Sequence, residues 1–319
     1  MPDYFESGMF VRQAPWHKLG NIIDKAPESI EEARRLAGLE WEPEAVPIYN
    51  AKGEPIKGWQ GIQRNDTQDL LNIARDSYEI VMNQETFEIV WSVMGQGAYL
   101  DTAGSVREGR QVWALAHLDE PMQIAGDPSL VFPYIVMLTS HDGTAACKVL
   151  PTTVRVVCWN TFQMAAREGD RTGIQLSFRH TSKVKDRIEQ AKRAIEGTRN
   201  FAGAWAEQAN HLSNLLVGRK QIEFFVNEFI PPPPPHVTMT DRQADNLLMS
   251  RQTLRWLINE GPANEGIRHT AYGLYQAAGE YLDHYRSVHT LDSYIGRTLL
   301  KAEPAKAKAM KLAKEAASV

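Results

Sequence analysis

The sequence predicts an α+β protein: an antiparallel, hairpin-rich sheet with a long packed helix, followed by a mainly helical C-terminal region. Three observations carry that expectation. In the first half, short apolar runs are separated by turn-forming stretches such as Lys52-Gly53-Glu54-Pro55 and His141-Asp142-Gly143-Thr144, and Asp-Gly is favoured where a hairpin needs a positive φ. Residues 182–216 then lack proline and repeat apolar side chains at Val184, Ile188, Ala191, Ile195, Phe201, Trp205, Ala209, Leu212 and Leu216, the period of a helix. Last, the prolines at 231–235 make a stiff extended connector. These observations divide the chain into an α+β core over 1–230, a proline-rich connector over 231–239, and a helical region with a basic tail over 240–319.

Taken in order, Ser29 and Glu32 fit a capping box for a short helix over 31–39. Residues 41–49 and 56–63 flank the first turn as a hairpin, and 85–94 has helical spacing at Phe87, Val90, Trp91 and Met94. Strands follow over 98–106 and 111–118, joined by Arg107-Glu108-Gly109-Arg110, then over 130–139, 145–157 and 174–178. The stretch 182–216 reads as one long helix or as two broken near Gly197 or Gly203. Further helices are expected over 221–230, 240–260, 267–288 and 294–317.

With 43% hydrophobic and 23% charged residues in 319, the composition is that of a globular protein. No apolar run reaches the roughly 18 residues of a membrane helix, and the start lacks the pattern of a signal peptide. The expectation is a cytoplasmic protein with no membrane partner. Cys147 and Cys158 lack metal or disulfide-framework spacing and read as small residues in apolar settings.

The net charge of -4 argues against coating nucleic acid by bulk charge, but its distribution is uneven. Residues 1–120 hold 11 basic and 20 acidic side chains, whereas 143–199 hold 11 basic and 5 acidic. The second stretch is either a solvated, ion-paired helix face or a phosphate-binding surface. Arg155 among valines needs an anionic partner, internal or bound. The patch Trp16-His17-Lys18 either pins the N-terminal arm or stacks a base.

Catalytic signatures are missing: there is no His-Glu-x-x-His, Cys-x-x-Cys, phosphate-binding Gly-Lys-Ser/Thr loop or Gly-x-Ser-x-Gly elbow. The sequence implies no cofactor, no metal site and no catalytic residue. A metal-dependent nuclease built on His141 and Asp142 is the minor enzymatic alternative, although Asp-Gly has its own conformational reason to stand at a turn. Asp283 and His284 read as structural.

Several separated motifs resemble the phage/plasmid-like protein family, which carries a domain of unknown function found in bacteriophages, prophages and conjugative plasmids. They are Pro15-Trp16-His17-Lys18-Leu19-Gly20, Ala103-Gly104 with the 107–110 turn, His141-Asp142-Gly143, Arg155 to Thr161, Arg179-His180-Thr181, and Ala271-Tyr272-Gly273 with Tyr281-Leu282-Asp283-His284. The resemblance implies DNA metabolism, and the order of hairpins, basic strand and long basic helix is similar to ring-forming single-strand annealing proteins. The resulting expectation is a non-enzymatic single-stranded DNA-binding or annealing protein acting as a homo-oligomer in recombination or replication. Its nucleic-acid-binding residues would be Arg107, Arg110, Lys148, Arg155, Trp159, Asn160, Arg179, His180, Lys183, Lys185 and Arg187. The alternative is a regulatory protein that binds a host or phage protein through its helical region.

Overall fold

The computed structural model describes residues 5–11, 20–94, 97–143, 147–155, 160–163, 176–178, 184–234, 236–286 and 304–318. The fold is α+β, with helices concentrated in the C-terminal part. Among the described residues no helix is long and apolar enough to cross a membrane.

The first helix, α1 (Ile30–Ala37), begins where the sequence places it, with Ser29 Oγ accepting from the Glu32 N–H at 3.1 Å. The return arm differs: Glu32 accepts from the Glu28 N–H at 2.8 Å, one residue before the cap. Gly38 ends the helix at φ 69°, and a Cβ there would stand 2.7 Å from Ser7 Cβ. A three-stranded antiparallel sheet follows, ordered β3 (Pro43–Tyr49), β4 (Pro55–Arg64) and β5 (Leu70–Arg75). Helix α2 (Asn83–Met94) starts two residues before its expected position because a carboxylate from β3's approach caps it. Glu42 accepts the N–H groups of Asn83 and Gln84 at 2.6 and 2.9 Å and pairs with Arg34. Burial nevertheless pushes the Glu42 carboxyl above its ordinary pKa, against the pull of those N–H groups and of Arg34.

Among the described residues the larger sheet has nine strands: β1 (Phe5–Val11), β2 (Asn21–Ile23), β6 (Ala98–Val106), β7 (Gln111–Leu118), β8 (Met122–Gln123), β9 (Leu130–Ser140), β10 (Cys147–Arg155), β11 (Asn160–Gln163) and β12 (Leu176–Phe178). Its order is β11-β10-β9-β7-β6-β1-β2, with β12 beside β10 and β8 beside β9. Every pairing is antiparallel except that of β1 with β2. One face buries Met9, Ala103, Ala114, Ala116, Ile135, Met137 and Val149 against Ala33, Ala37, Phe87 and Val90 of α1 and α2, and against Ile195. The alanines let helices come close to the sheet, and the period of two keeps this set together.

Ile195 belongs to α3 (Val184–Ser213), which runs through Gly197 and Gly203 without a break, about 45 Å at 1.5 Å per residue. Nothing lies within 4 Å of an added Cβ at Gly203, so no packing demand bends the helix there. Then come α4 (Arg219–Phe229), the prolines 231–234, and α5 (Asp241–Asn259), whose Thr240 and Gln243 form a reciprocal capping box. A 3₁₀ turn (Pro262–Ile267) precedes α6 (Ala271–Glu280), a π turn (Tyr281–Tyr285) continues it, and α7 (Pro304–Ala316) ends the described chain. The expected helix over 267–288 therefore starts later: Thr270 is its cap, accepting from the Gly273 N–H at 3.0 Å.

These helices share one core, in which Trp205, Phe225, Phe229, Leu254, Leu257, Tyr272 and Leu274 pack with Leu312 and Ala313 of α7. The prolines interrupt the helical backbone, yet helices on both sides contribute to that core. Ile124 and Val131 carry it onto the sheet. The basic tail is likewise part of the packing, with Ala309, Ala313 and Ala316 fully buried and Lys306 paired to Asp283 at 2.7 Å.

Candidate functional site

The basic stretch of the sequence folds onto one edge of the large sheet. Strand β10 carries Lys148 and Arg155, β11 begins at Asn160, and β11 and β12 both pair with β10. Lys148 lies opposite Leu138 on one side and Ser177 on the other, while Arg155 lies opposite Val131 and Asn160. Seven residues separate Lys148 from Arg155, about 23 Å along an extended strand, so they mark opposite ends of the edge. Lys185 and Arg187 stand in the first turn of α3, which packs along β10. Trp159, Arg179, His180 and Lys183 lie outside the described residues, as do Cys158 and the patch at 12–19. The side chains of Lys148, Arg155, Asn160, Lys185 and Arg187 are also outside them.

Arg107 and Arg110 sit at the tip of the β6–β7 hairpin, at the same end of the sheet as Lys148, since Gln111 pairs with Ser140 and Lys148 with Leu138. Arg107, Glu108 and Gly109 all have positive φ, at 57°, 57° and 86°, an uncommon sequence for two non-glycine residues. Packing holds it: a Cβ on Gly109 would be 2.6 Å from Trp41 Cζ2. Arg110 braces the tip, donating to Glu108 at 2.6 Å, to the Arg107 carbonyl at 3.2 Å and to the Leu70 carbonyl of β5 at 3.2 Å.

Beside this tip lies an open cleft of about 410 Å³ lined by Gly38, Glu40, Trp41, Arg64, Asn65 and Asp66. Its guanidinium is already engaged: Arg64 lies 4.2 Å over the Trp41 ring, makes two bonds to Asp66 at 2.7 and 2.9 Å, and pairs with Glu6. Hydrogen bonds from Arg64 hold the Asp66 carboxyl below its usual pKa. His141 is only 1% exposed; its Nε2 meets Asn83 Oδ1 at 3.0 Å and its ring packs edge-on to Trp41. Asp142 accepts from Ser140 Oγ at 2.5 Å. Among the described residues no group of three His, Cys, Asp or Glu side chains gathers as a metal site requires.

The structure also assembles a cluster that residue spacing had not revealed. On β6, β7 and β9, Asp101 Oδ2 accepts from the Tyr134 hydroxyl at 2.6 Å and from His117 Nδ1 at 2.9 Å. Tyr99 stacks on His117 with centroids 5.3 Å apart and planes at 23°, and Phe132 meets the same imidazole edge-on at 5.6 Å. Asp101 lies where the β6–β7 register shifts between Leu100 and Thr102, a bulge that turns its carboxylate toward His117. Burial, reinforced by the Asp101 charge, raises the Tyr134 pKa, which keeps its hydroxyl a donor. The one legible signal was Phe132 and Tyr134 at a spacing of two, which places both on one face.

Most of this architecture, from β5 through α7, falls within a single family match: a model described as Domain of unknown function (DUF932) covers residues 70–316. The chain belongs to the DUF932 family. The DUF932 match leaves β1 to β4 and α1 ahead of it, although β1 pairs with β6 inside it. No curated protein and no solved structure matches the chain.

Proposed function

We propose that this DUF932 protein binds single-stranded DNA without chemical turnover, as a strand-binding or annealing protein of a phage or plasmid, and that it works as an oligomer in recombination or replication. One observation carries the reading: the stretch with 11 basic and 5 acidic residues, 143–199, contributes β10, β11, β12 and the start of α3, all at one edge of the sheet. A sequence-level charge bias thereby gathers at one edge, while β1 and β2, which carry no basic residue, form the opposite edge. A cationic edge attracts a phosphate backbone by releasing counterions, whatever the base sequence. Edge strands also leave backbone groups for a neighbouring subunit to continue. The test is charge reversal at Lys185 and Arg187. Removing one phosphate-binding cation should flatten the dependence of log affinity on log salt by about 0.7 for a single strand, with circular dichroism unchanged. Wild-type affinity and salt slope in Lys185→Glu/Arg187→Glu would remove α3 from the interface.

A second reading, a regulatory protein that docks a host or phage protein, is favoured by the exposed Leu248 and Met249 on α5. Polar substitution of both would abolish such a complex and leave strand binding intact.

A further inference from the structure

Tyr99 and His117 form an aromatic pair prepared in advance for a third ring. The row of residues paired across the sheet runs Tyr99, His117, Tyr134, Thr152 and Gln163, from β6 to the β11 edge. Four strand spacings cover about 19 Å, so the pair lies in one row with the β11 edge, on the face opposite the one where α3 packs through Ile195, with Tyr134 and Thr152 buried between them. His117 is fixed from three sides, by the Asp101 carboxylate on Nδ1, by Phe132 edge-on and by Tyr134 at 5.7 Å. Its Nε2 has no hydrogen-bond partner among the described residues. Tyr99 is held against this imidazole on one face and remains 46% exposed. An exposed aromatic side chain alone is ordinary on a protein surface. Here the supporting ring is locked by a bulged carboxylate and a buried tyrosine, so the tyrosine that leans on it gives up little further freedom when it stacks.

We propose that the outer face of Tyr99 stacks a nucleobase of the bound single strand, with His117 as the positioning residue and Asp101 and Tyr134 as the clamp that orients it. The inference rests on the single-strand reading above and adds where a base is held. Stacking tolerates any base because each has a π face, which suits a protein that must bind strands of arbitrary sequence. The phosphates would be tracked at the β10–β12 edge while Tyr99 supplies the contact that charge cannot.

The test measures binding of labelled oligothymidylate to the wild type, Tyr99→Phe, Tyr99→Leu and Tyr99→Ala at fixed salt and across a salt series. Tyr99→Leu and Tyr99→Ala should each weaken binding about fivefold or more, with the salt slope unchanged because no cation is removed, and Tyr99→Phe should stay within about twofold of wild type. Leucine keeps much of the bulk, so it decides the matter should the alanine variant fold poorly. Wild-type affinity in Tyr99→Leu, with the wild type itself binding, overturns the base-stacking assignment alone. A wild type that binds no strand overturns the single-strand reading and this assignment together.

Discussion

Replacing Lys306 by methionine tests how the C-terminal helix is attached. The Lys306 Nζ lies 2.7 Å from Asp283 Oδ2, with side chains only 8% and 3% exposed, joining α7 to the π turn after α6. Methionine keeps the apolar stem and removes the ammonium, so packing in the helical core is largely retained. What changes is the pairing of a buried carboxylate, and removing one partner of such a pair costs up to about 3–5 kcal/mol because its desolvation is then less fully offset. Urea unfolding followed by tryptophan fluorescence should show a lower midpoint at a common slope, with slope times shift equal to that loss. Lys308→Met is the control: among the described residues its ammonium reaches only the Phe229 carbonyl, at 3.5 Å from an exposed position, and it should change stability by no more than about 0.5 kcal/mol. A loss below about 1 kcal/mol in Lys306→Met would refute the claim that the tail is tied down by a desolvated ion pair.

Gly104→Ala should destabilise the sheet by about 1–3 kcal/mol or more, since the new Cβ would stand 2.3 Å from the Ser7 carbonyl oxygen and 2.6 Å from Trp113 Cη2; an unchanged thermal midpoint would show that β1 yields freely. Glu223→Gln breaks the two-bond pair with Arg255 (2.7 and 2.9 Å) that links α4 to α5 across the prolines. The pair is partly exposed, so the cost should be about 0.2–1 kcal/mol at neutral pH. Hydrogen bonding to Arg255 lowers the Glu223 pKa in the folded state. Its contribution is therefore fully present above the unfolded value of about 4.3 and fades as pH falls through the lower folded value. Urea midpoints of Glu223→Gln and wild type should separate at neutral pH and converge in acid.

Local patterns were legible where a strand and its turn lie close in the chain. The β6–β7 hairpin has the bounds expected from alternation around Arg107-Glu108-Gly109-Arg110. Strand β5 was missed because Leu70–Arg75 is short and gains its identity from β4 beside it. Strand β1 pairs with β6 roughly 95 residues away, a contact no window reveals. In the tail, lysines between the alanines masked a buried stripe at Ala309, Leu312, Ala313 and Ala316. For the candidate site, the basic stretch was evident from charge alone, whereas its arrival at one sheet edge required the strand order. The Asp101–His117–Tyr134 cluster depended on three strands and a bulge, so neither spacing nor charge announced it.

The most direct test of the central claim is binding of the wild-type protein to labelled single-stranded and duplex oligonucleotides across a salt series, with mass determined on the same samples. The account predicts preference for the single strand, affinity that falls steeply with salt, and an assembly larger than one chain. A folded protein that binds neither strand at low salt would contradict it.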